Sequence, residues 1–263
     1  MLLAIDVGNT NIVFAIVDGD TILWRWRIAT HAERTADEYA VWLNQLIEME
    51  GAVRADITDV VIASVVPQTL FNLRGLARKY VGVDAMVVGT PDIDYGMPIN
   101  LPNPAEVGAD RIVNAVAAHA CWPGDLIIVD FGTATTFDVV SASGGYEGGV
   151  IAPGINLSMD ALYRAAARLP RIAVEPPADG LGVIGKGTVH AMQSGVFWGY
   201  VGLIEGLVRR MQAEIGGDAT VIATGGLAAL FSRHSDTISH VDPDLTIKGL
   251  ARIHARNIKR QIS

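Results

Sequence analysis

Two short polar turns, each between apolar runs, carry residue types that suit phosphate binding. The first runs Asp-Val-Gly-Asn-Thr-Asn from Asp6, and the second runs Asp-Phe-Gly-Thr-Ala-Thr from Asp130, 124 residues later. Glycine turns form backbone concavities that bind anions, and the carboxylate of each copy suits a divalent cation, directly or through water. One copy alone is also typical of a plain hairpin. Two copies at the heads of two similar segments favour a pair of phosphate-binding turns.

A second candidate is the segment from Gly108 to Arg111, at the predicted start of a helix. Asp110 is placed to accept the proton of an attacking hydroxyl, and the planar guanidinium of Arg111 suits a substrate carboxylate. Gly108 leaves room for a ligand to approach the backbone. An acid in the first turn also complements the helix dipole without any catalytic role, and the sequence leaves both interpretations open.

Other patterns point less directly to chemistry. The pair Gly225-Gly226 follows a predicted strand and either faces a nucleotide or forms a simple turn. Gly180 to Gly187 resembles a P-loop, but no apolar strand precedes it and glycine stands where that motif needs Ser or Thr, so we reject this interpretation. Thr188 instead begins a long helix, where it is able to contact substrate. The six histidines are dispersed and Cys121 is the only cysteine, which argues against a zinc site.

An internal repeat predicts how these residues are positioned. Each polar turn joins two apolar runs, which predicts a strand, a tight turn and an antiparallel strand in each copy. A weaker echo, from Val61 to Ser64 and again from Val221 to Thr224, predicts one further buried strand in each copy. We therefore expect an α/β protein with two related halves, residues 1–124 and 125–263.

Helical patterns fill the chain between the predicted strands. A capping box at Thr35 marks the start of the first predicted helix. Four further helices are predicted, from Pro67 to about Tyr80, from Val107 to about His119, from Gly187 to Glu214 and from Thr246 to Ile262. The helix from Gly187 to Glu214 contains Gly195, Gly199, Gly202 and Gly206. Because each interior glycine costs about 1 kcal/mol relative to alanine, we expect a close packing contact there, either internal or between subunits. Two interpretations of the loop from Gly89 to Glu106 remain open: a hinge or lid, and an ordered connector.

Composition narrows the classes of function. The chain has 263 residues and a net charge of −8, and its basic residues form no cluster, which argues against a nucleic-acid partner. The most apolar stretch, from Val196 to Val208, contains Glu205 and is shorter than the roughly 20 residues of a membrane span. The first residues lack the basic region of a signal peptide. We therefore expect a cytoplasmic protein.

Taken in order, these motifs resemble type III pantothenate kinases, which belong to the actin, Hsp70 and sugar-kinase superfamily. The two Asp-x-Gly turns are typical of the superfamily, whereas Gly108 to Arg111 and Gly185 to Gly195 resemble this family in particular. The resemblance implies two related actin-like (ribonuclease H-like) domains with a nucleotide cleft between them. It also implies transfer of a phosphoryl group from ATP to pantothenate, which gives 4′-phosphopantothenate, the first step of coenzyme A biosynthesis.

The resemblance also implies roles for individual residues. Asp110 corresponds to the proton acceptor, Thr133 to an ATP contact, and Asp130 to a ligand of a monovalent cation, K⁺ or NH₄⁺. The implied ATP loop consists of Asp6, Val7, Gly8, Asn9, Thr10, Asn11, Ile12 and Val13. The implied pantothenate contacts are Gly108, Ala109, Asp110, Arg111 and Thr188. Mg²⁺ accompanies ATP, with Asp6 as a candidate ligand. Members are typically homodimers, which would suit the glycine-rich helix.

One departure from the family pattern affects the substrate side. Many members carry a tyrosine that contacts substrate seven residues before Gly108, and this chain has Leu101 there, with Tyr95 out of register. Two alternatives remain beside the pantothenate kinase interpretation. One is another enzyme of the same fold, such as a sugar kinase or an exopolyphosphatase-type phosphatase. The other is a non-catalytic regulator of transcription, although the acids Asp6, Asp110 and Asp130 and the hydroxyl of Thr133 favour an enzyme.

Overall fold

The computed structural model describes residues 1–165, 169–178 and 180–262. The chain forms two compact units. The first unit comprises Met1–Cys121, Gly144–Tyr146 and Asp244–Ser263, and the second comprises Trp122–Ser143 and Glu147–Pro243. The division differs from the expected halves, 1–124 and 125–263, mainly because the last helix lies with the first unit.

The first unit contains a five-stranded sheet. Its strands are β1 (Leu2–Val7), β2 (Asn11–Asp18), β3 (Thr21–Ala29), β4 (Asp59–Ser64) and β5 (Met86–Val87). The strand order is β3-β2-β1-β4-β5. Strands β1, β2 and β3 pair antiparallel, whereas β4 lies parallel to β1 and β5 parallel to β4.

The second unit repeats this plan. Its strands are β6 (Leu126–Phe131), β7 (Ala134–Val140), β8 (Tyr146–Pro153, whose first residue belongs to the first unit), β9 (Thr220–Gly225) and β10 (His240–Val241). The order β10-β9-β6-β7-β8 is that of the first sheet, read from the other edge. The predicted repeat is therefore confirmed at the level of strand order, and so is the α/β fold class.

Seven α-helices lie in the described part of the chain. They are α1 (Ala36–Met49), α2 (Pro67–Leu76), α3 (Ala109–Cys121), α4 (Ile155–Ala165), α5 (Thr188–Ile215), α6 (Ala228–Phe231) and α7 (Leu245–Ile262). The predicted capping box is confirmed, because the Glu38 N–H donates to Thr35 Oγ1 and the Thr35 N–H donates to the Glu38 carboxylate. Helix α2 ends earlier than predicted and continues as a π-helical turn from Ala77 to Val81. No helix in the described residues is both long and apolar enough to cross a membrane.

Two apolar cores enclose the first sheet, and one of them holds α3, the helix that carries Asp110. Alternate residues of a strand face opposite sides of its sheet. Leu3 and Ile5 of β1 therefore pack with the α1 and α2 side, while Leu2 and Ala4 pack with the side that holds α3 and α7. In the second unit, β6 and β9 pack against α5 and α6.

The loop between β5 and α3 is attached to α7. Asn257 accepts a hydrogen bond from the Asp94 N–H at 2.9 Å and donates to the Asp94 carbonyl at 3.0 Å. Asp94 also forms an ion pair with Arg256, at 2.9 Å between Nε and Oδ2. Near the start of the loop, the Gly89 N–H donates to the Tyr95 hydroxyl at 3.1 Å. These contacts are those expected of an ordered connector leading to Gly108.

Candidate functional site

The first polar turn, between β1 and β2, is tight and is held by hydrogen bonds from the residue that follows β3. The Gly8 N–H donates to the Asn11 carbonyl at 3.0 Å, and a Cβ on Gly8 would lie 3.2 Å from that same oxygen. Thr30, just after β3, donates from Oγ1 to the Gly8 carbonyl at 2.7 Å and from its N–H to the Thr10 carbonyl at 2.9 Å. The side chains of Asn9, Thr10 and Asn11 are exposed. The turn therefore presents short polar groups on a fixed backbone, which fits the phosphate tail of a nucleotide.

The second polar turn is one residue shorter and is buttressed by a glycine. The Gly132 N–H donates to the Ala134 carbonyl at 3.1 Å. A Cβ on Gly154 would lie 2.2 Å from the Thr133 carbonyl oxygen, so the turn between β8 and α4 closes directly on this backbone. Thr133 itself is exposed, which leaves its hydroxyl accessible to a ligand. The sequence shows no sign of the role of Gly154, because the contact joins segments about twenty residues apart.

Gly225 packs against the carboxylate of Asp130. A Cβ on Gly225 would lie 2.6 Å from Asp130 Oδ1 and 2.6 Å from the Phe131 carbonyl oxygen, and its φ of +88° also favours glycine. The next residue, Gly226, donates from its N–H to the Phe131 carbonyl at 3.2 Å. The glycine pair therefore has a definite structural task, to let β9 end close to Asp130. The buried Thr224 lies opposite Asp130 in the parallel pairing of β6 and β9.

Asp110 lies in the first turn of α3 and is partly buried. Burial raises the pKa of this carboxyl group, while a hydrogen bond from the Arg111 N–H to Oδ1 at 2.9 Å opposes the rise. A Cβ on Gly108 would lie 2.6 Å from Asp110 Oδ1. The room that we expected Gly108 to leave for a ligand is thus occupied in part by the carboxylate itself. A carboxylate held in this way is suited to accept a proton from a hydroxyl.

Arg111 is the next residue of the same helix turn and is partly buried. Its N–H donates to the Gly108 carbonyl at 3.1 Å as well as to Asp110. Its guanidinium lies over the ring of Tyr146, with 5.9 Å between Cζ and the ring centroid. Ala109, between Gly108 and Asp110, is buried in the core that joins α3 to the sheet. Ala109 therefore fixes the helix, while its neighbours carry the polar groups.

Thr188 is the first residue of α5 and is exposed. The loop before it folds back on the helix: the Ser194 hydroxyl donates to the Val183 carbonyl at 2.5 Å, and the His190 ring lies 2.9 Å from the Gly182 carbonyl. A Cβ on Gly185 would lie 2.4 Å from Ala191 Cα. The described residues just before this loop, 169–178, form neither helix nor strand, so the strand that a P-loop requires does not precede it in that described stretch.

The site residues expected from the sequence thus lie in both units. Asp6 to Val13 and Gly108 to Arg111 belong to the first unit, and Asp130, Thr133 and Thr188 belong to the second. Asp6 is half-buried at the end of β1, followed by the exposed turn, and Asp130 is half-buried at the equivalent place in β6. Within the described residues, no three acidic, histidine or cysteine side chains form a metal-binding group. At these positions the groups available to bind a ligand are therefore single carboxylates, together with hydroxyl groups and backbone amides.

Comparison with known proteins identifies the relatives of this chain. The family model described as type III pantothenate kinase matches residues 2–210. A type III pantothenate kinase from Rhizorhabdus wittichii is 61% identical over 256 residues, covering 97% of this chain and 98% of the relative. Among solved structures, one from Campylobacter jejuni, described as a Baf family transcriptional activator, has a TM-score of 0.61 and 20% identity, covering 98% of this chain and 99% of its own.

A second solved structure comes from Sinorhizobium meliloti and is described as a 2-dehydro-3-deoxygalactonokinase. Its TM-score is 0.53 at 14% identity, and the match covers 97% of this chain and 96% of that one. At these identities the two structures establish a shared fold only.

Proposed function

The chain belongs to the type III pantothenate kinase family, and from this premise we propose how its residues serve the reaction. It transfers a phosphoryl group from ATP, with a divalent metal ion, to the hydroxyl of pantothenate, which gives 4′-phosphopantothenate and begins coenzyme A biosynthesis. The main support is that the family match, residues 2–210, spans all the residues proposed to bind ATP, pantothenate or a cation, from Asp6 to Thr188.

Asp110 accepts the proton of the pantothenate hydroxyl. Its burial and its fixed position in the first turn of α3 support this role. Arg111, the next residue, binds the pantothenate carboxylate through its planar N–H groups. Gly108 and Ala109 form the backbone beside them, and Thr188 supplies a further hydroxyl contact to substrate. Leu101 stands seven residues before Gly108, where the resemblance implies a substrate-contacting tyrosine in many members, so the proposal assigns no tyrosine contact on that side.

Asp6 to Val13 and Thr133 hold ATP. The exposed side chains of Asn9, Thr10 and Asn11 and the braced glycine turn support binding of the phosphates at the first loop. A divalent metal ion neutralises charge on the phosphates and on the transferring phosphoryl group when it is bound. Asp6 is the proposed carboxylate for that ion, since Mg²⁺ is usually held by one or two carboxylates together with phosphates and water. The protein's own task is to position the hydroxyl and to keep Asp110 ready for its proton.

Asp130 binds a monovalent cation, K⁺ or NH₄⁺. Its half-buried carboxylate lies at the end of β6 against Gly225, with the carbonyl oxygen of Phe131 close by. Carboxylate and carbonyl oxygens are suitable ligands for such ions. A cation here would reduce the negative charge beside Thr133, the proposed ATP contact.

The active form is a homodimer that uses the exposed face of α5. A Cβ on Gly195, Gly199 or Gly202 would meet nothing within 4 Å, so these glycines are not required by a contact among the described residues. Trp198 and Val189 on the same helix are 37% and 47% exposed. A second copy packed on this face would account for both features. The cytoplasm is the proposed location, since it contains the ATP that the reaction consumes.

A coupled assay of ADP release tests these assignments. It compares ATP and Mg²⁺ alone with the same mixture plus pantothenate, with and without K⁺ or NH₄⁺. We expect ADP release that depends on pantothenate and increases with the monovalent cation. Release that is independent of pantothenate would reject the substrate, and release that is indifferent to cations would reject the role of Asp130. Folded protein with no turnover would favour a regulator, the description carried by the Campylobacter jejuni structure.

A further inference from the structure

The segment Gly144–Tyr146 belongs to the first unit, although its chain neighbours on both sides belong to the second. Two backbone hydrogen bonds fix it there. The Tyr146 N–H donates to the Pro98 carbonyl at 2.9 Å, and the Asn100 N–H donates to the Tyr146 carbonyl at 2.8 Å. Together they make a β-bridge between Ile99 and Tyr146. The segment thus acts as a short strand partner for the loop that leads to Gly108.

Gly144 fixes the other end of this segment on α3. Its φ is +88°, in the left-handed region, and a Cβ there would lie 2.6 Å from Nε2 of His119. Glycine is therefore the residue that fits this contact without moving the imidazole. Because His119 and Arg111 are both residues of α3, the segment rests on the helix that carries the proposed carboxylate-binding group.

The ring of Tyr146 connects these contacts to Arg111. Tyr146 is 0% exposed, and its ring centroid lies 5.9 Å from Cζ of Arg111. A guanidinium within about 6 Å of an aromatic face is attracted to the ring, and the flat shape of arginine favours this contact over the one that lysine makes. A buried ring with a fixed backbone cannot follow a moving side chain. The contact therefore limits where the guanidinium of Arg111 can lie.

We propose that Tyr146 is a positioning residue for Arg111, holding its guanidinium ready for the carboxylate of pantothenate. The inference rests on the role proposed above for Arg111. A group that is already in place loses less conformational entropy when its ligand binds. The effect of Tyr146 should therefore appear in the apparent affinity for pantothenate. It should not appear in the affinity for ATP or in the transfer step at Asp110.

Steady-state kinetics on the full chain test the proposal. Tyr146→Phe keeps the ring and should leave all constants within about 2-fold, whereas Tyr146→Leu should raise KM for pantothenate about 3- to 30-fold. Over the same variants, kcat and KM for ATP should change by no more than about 2-fold. Tyr39→Leu is the matched control, because Tyr39 is also 0% exposed in the first unit but packs in the core on the other side of the sheet from α3. It should leave KM for pantothenate unchanged, even if the melting temperature falls.

A second series keeps the proposal testable if Tyr146→Leu does not fold. Phenylalanine with one, two or three ring fluorines in place of Tyr146 retains the shape of the ring but weakens its attraction for a cation. KM for pantothenate should rise with each fluorine. A KM that stays flat across the series would overturn the proposal, because a purely structural ring does not respond to its electron density.

Arg111→Ala separates this inference from the function on which it rests. In that background, Tyr146→Leu should cause no further rise in KM for pantothenate. A further rise of the same size as in the unmodified protein would show that Tyr146 acts independently of Arg111, and it would overturn the inference alone. If Arg111→Ala by itself leaves KM unchanged, the role of Arg111 is wrong and this inference is overturned with it.

Discussion

At the scale of single residues, Asp110 has the surroundings that bear most directly on turnover. Its carboxylate is partly buried and accepts the Arg111 N–H at 2.9 Å. Asp110→Asn retains the shape but cannot accept a proton, so we expect kcat to fall about 10²–10⁴-fold in the ADP-release assay. Glu106→Gln, an exposed change in the preceding turn, is the matched control and should have normal kcat. Near-normal turnover of Asp110→Asn would contradict its role as proton acceptor.

The raised pKa of Asp110 also predicts how stability depends on pH. Burial favours the protonated carboxyl, so the folded protein binds this proton more tightly than the unfolded chain does. Between the ordinary pKa and the raised one, the free energy of unfolding should therefore fall as pH rises. Above the raised pKa the destabilisation is fully present, and below the ordinary pKa it is absent. Asp110→Asn should lack this dependence.

Urea unfolding from about pH 4 to pH 7 measures the effect, since an ordinary Asp titrates near the lower end of that range. The difference in unfolding free energy between wild type and Asp110→Asn should shift in favour of the variant as pH rises. Parallel pH profiles for the two proteins would contradict a raised pKa.

Residue types in the two turns and before α3 led to the proposed site residues, but they did not indicate the groups that pack against those residues. Gly108 was expected to make room for a ligand, and the structure places Asp110 Oδ1 2.6 Å from its would-be Cβ. Nothing in the sequence around Gly154 or Tyr146 indicated the contacts that these residues make. Each contacts a residue distant in the chain, Thr133 and Arg111 respectively, and spacing along a sequence carries no information about such contacts.

At the scale of elements, the repeat predicted the central strands because each has a strong apolar pattern of its own. It could not predict β5 and β10, which have only two residues each and therefore no periodicity. The matching residue types of the weaker echo also gave an alignment of the two copies that is wrong by one position. They align Ala63 with Ala223. In the first sheet Ala63 pairs with Asp6, but in the second sheet the residue that pairs with the equivalent Asp130 is Thr224. Register depends on the turns and on which face is buried, so similar letters do not determine it.

The contact between α3 and α7 gives a prediction about helix packing. A Cβ on Gly249 would lie 2.1 Å from the Val113 carbonyl oxygen, one helical turn beyond Asp110. Gly249→Ala should therefore destabilise the protein by about 3 kcal/mol through overpacking, despite the better helix propensity of alanine. We also expect kcat to fall, because α3 must shift to relieve the clash.

Urea unfolding and the ADP-release assay measure the two effects of Gly249→Ala. Ala255→Gly, at an exposed position of the same helix, is the reference and should cost only about 1 kcal/mol with kcat unchanged. A Gly249→Ala protein as stable as wild type would contradict the close contact between Gly249 and Val113.

At the scale of the whole molecule, the chain order does not coincide with the spatial division. Helix α7 is last in sequence but belongs to the first unit, where Arg25 forms an ion pair with Asp244 and Asn257 holds the backbone of Asp94. The expected boundary, after residue 124, came from the start of the repeat. A repeat shows where the second copy begins in the chain. It does not show which of the two units a later helix packs with.

The exposed glycines of α5 lead to a prediction about assembly. Gly199 lies on the exposed face of α5, and a Cβ there would meet nothing within 4 Å. In a monomer, Gly199→Leu should fit freely and should stabilise the helix by about 0.5–1 kcal/mol. In a dimer packed on this face, the added side chain should hold the two helices apart. The same change thus has opposite consequences for folding and for association.

Sedimentation velocity over a range of protein concentrations distinguishes the two cases. We expect the wild type to sediment as a dimer and Gly199→Leu to shift towards monomer, with an intact far-ultraviolet circular dichroism spectrum. Ala213→Leu, an exposed change near the far end of α5, is the matched control and should remain dimeric. A wild type that stays monomeric would reject the dimer, and a dimeric Gly199→Leu would place the interface elsewhere. Loss of association with folding retained would explain why a 28-residue helix keeps glycines that none of its described contacts require.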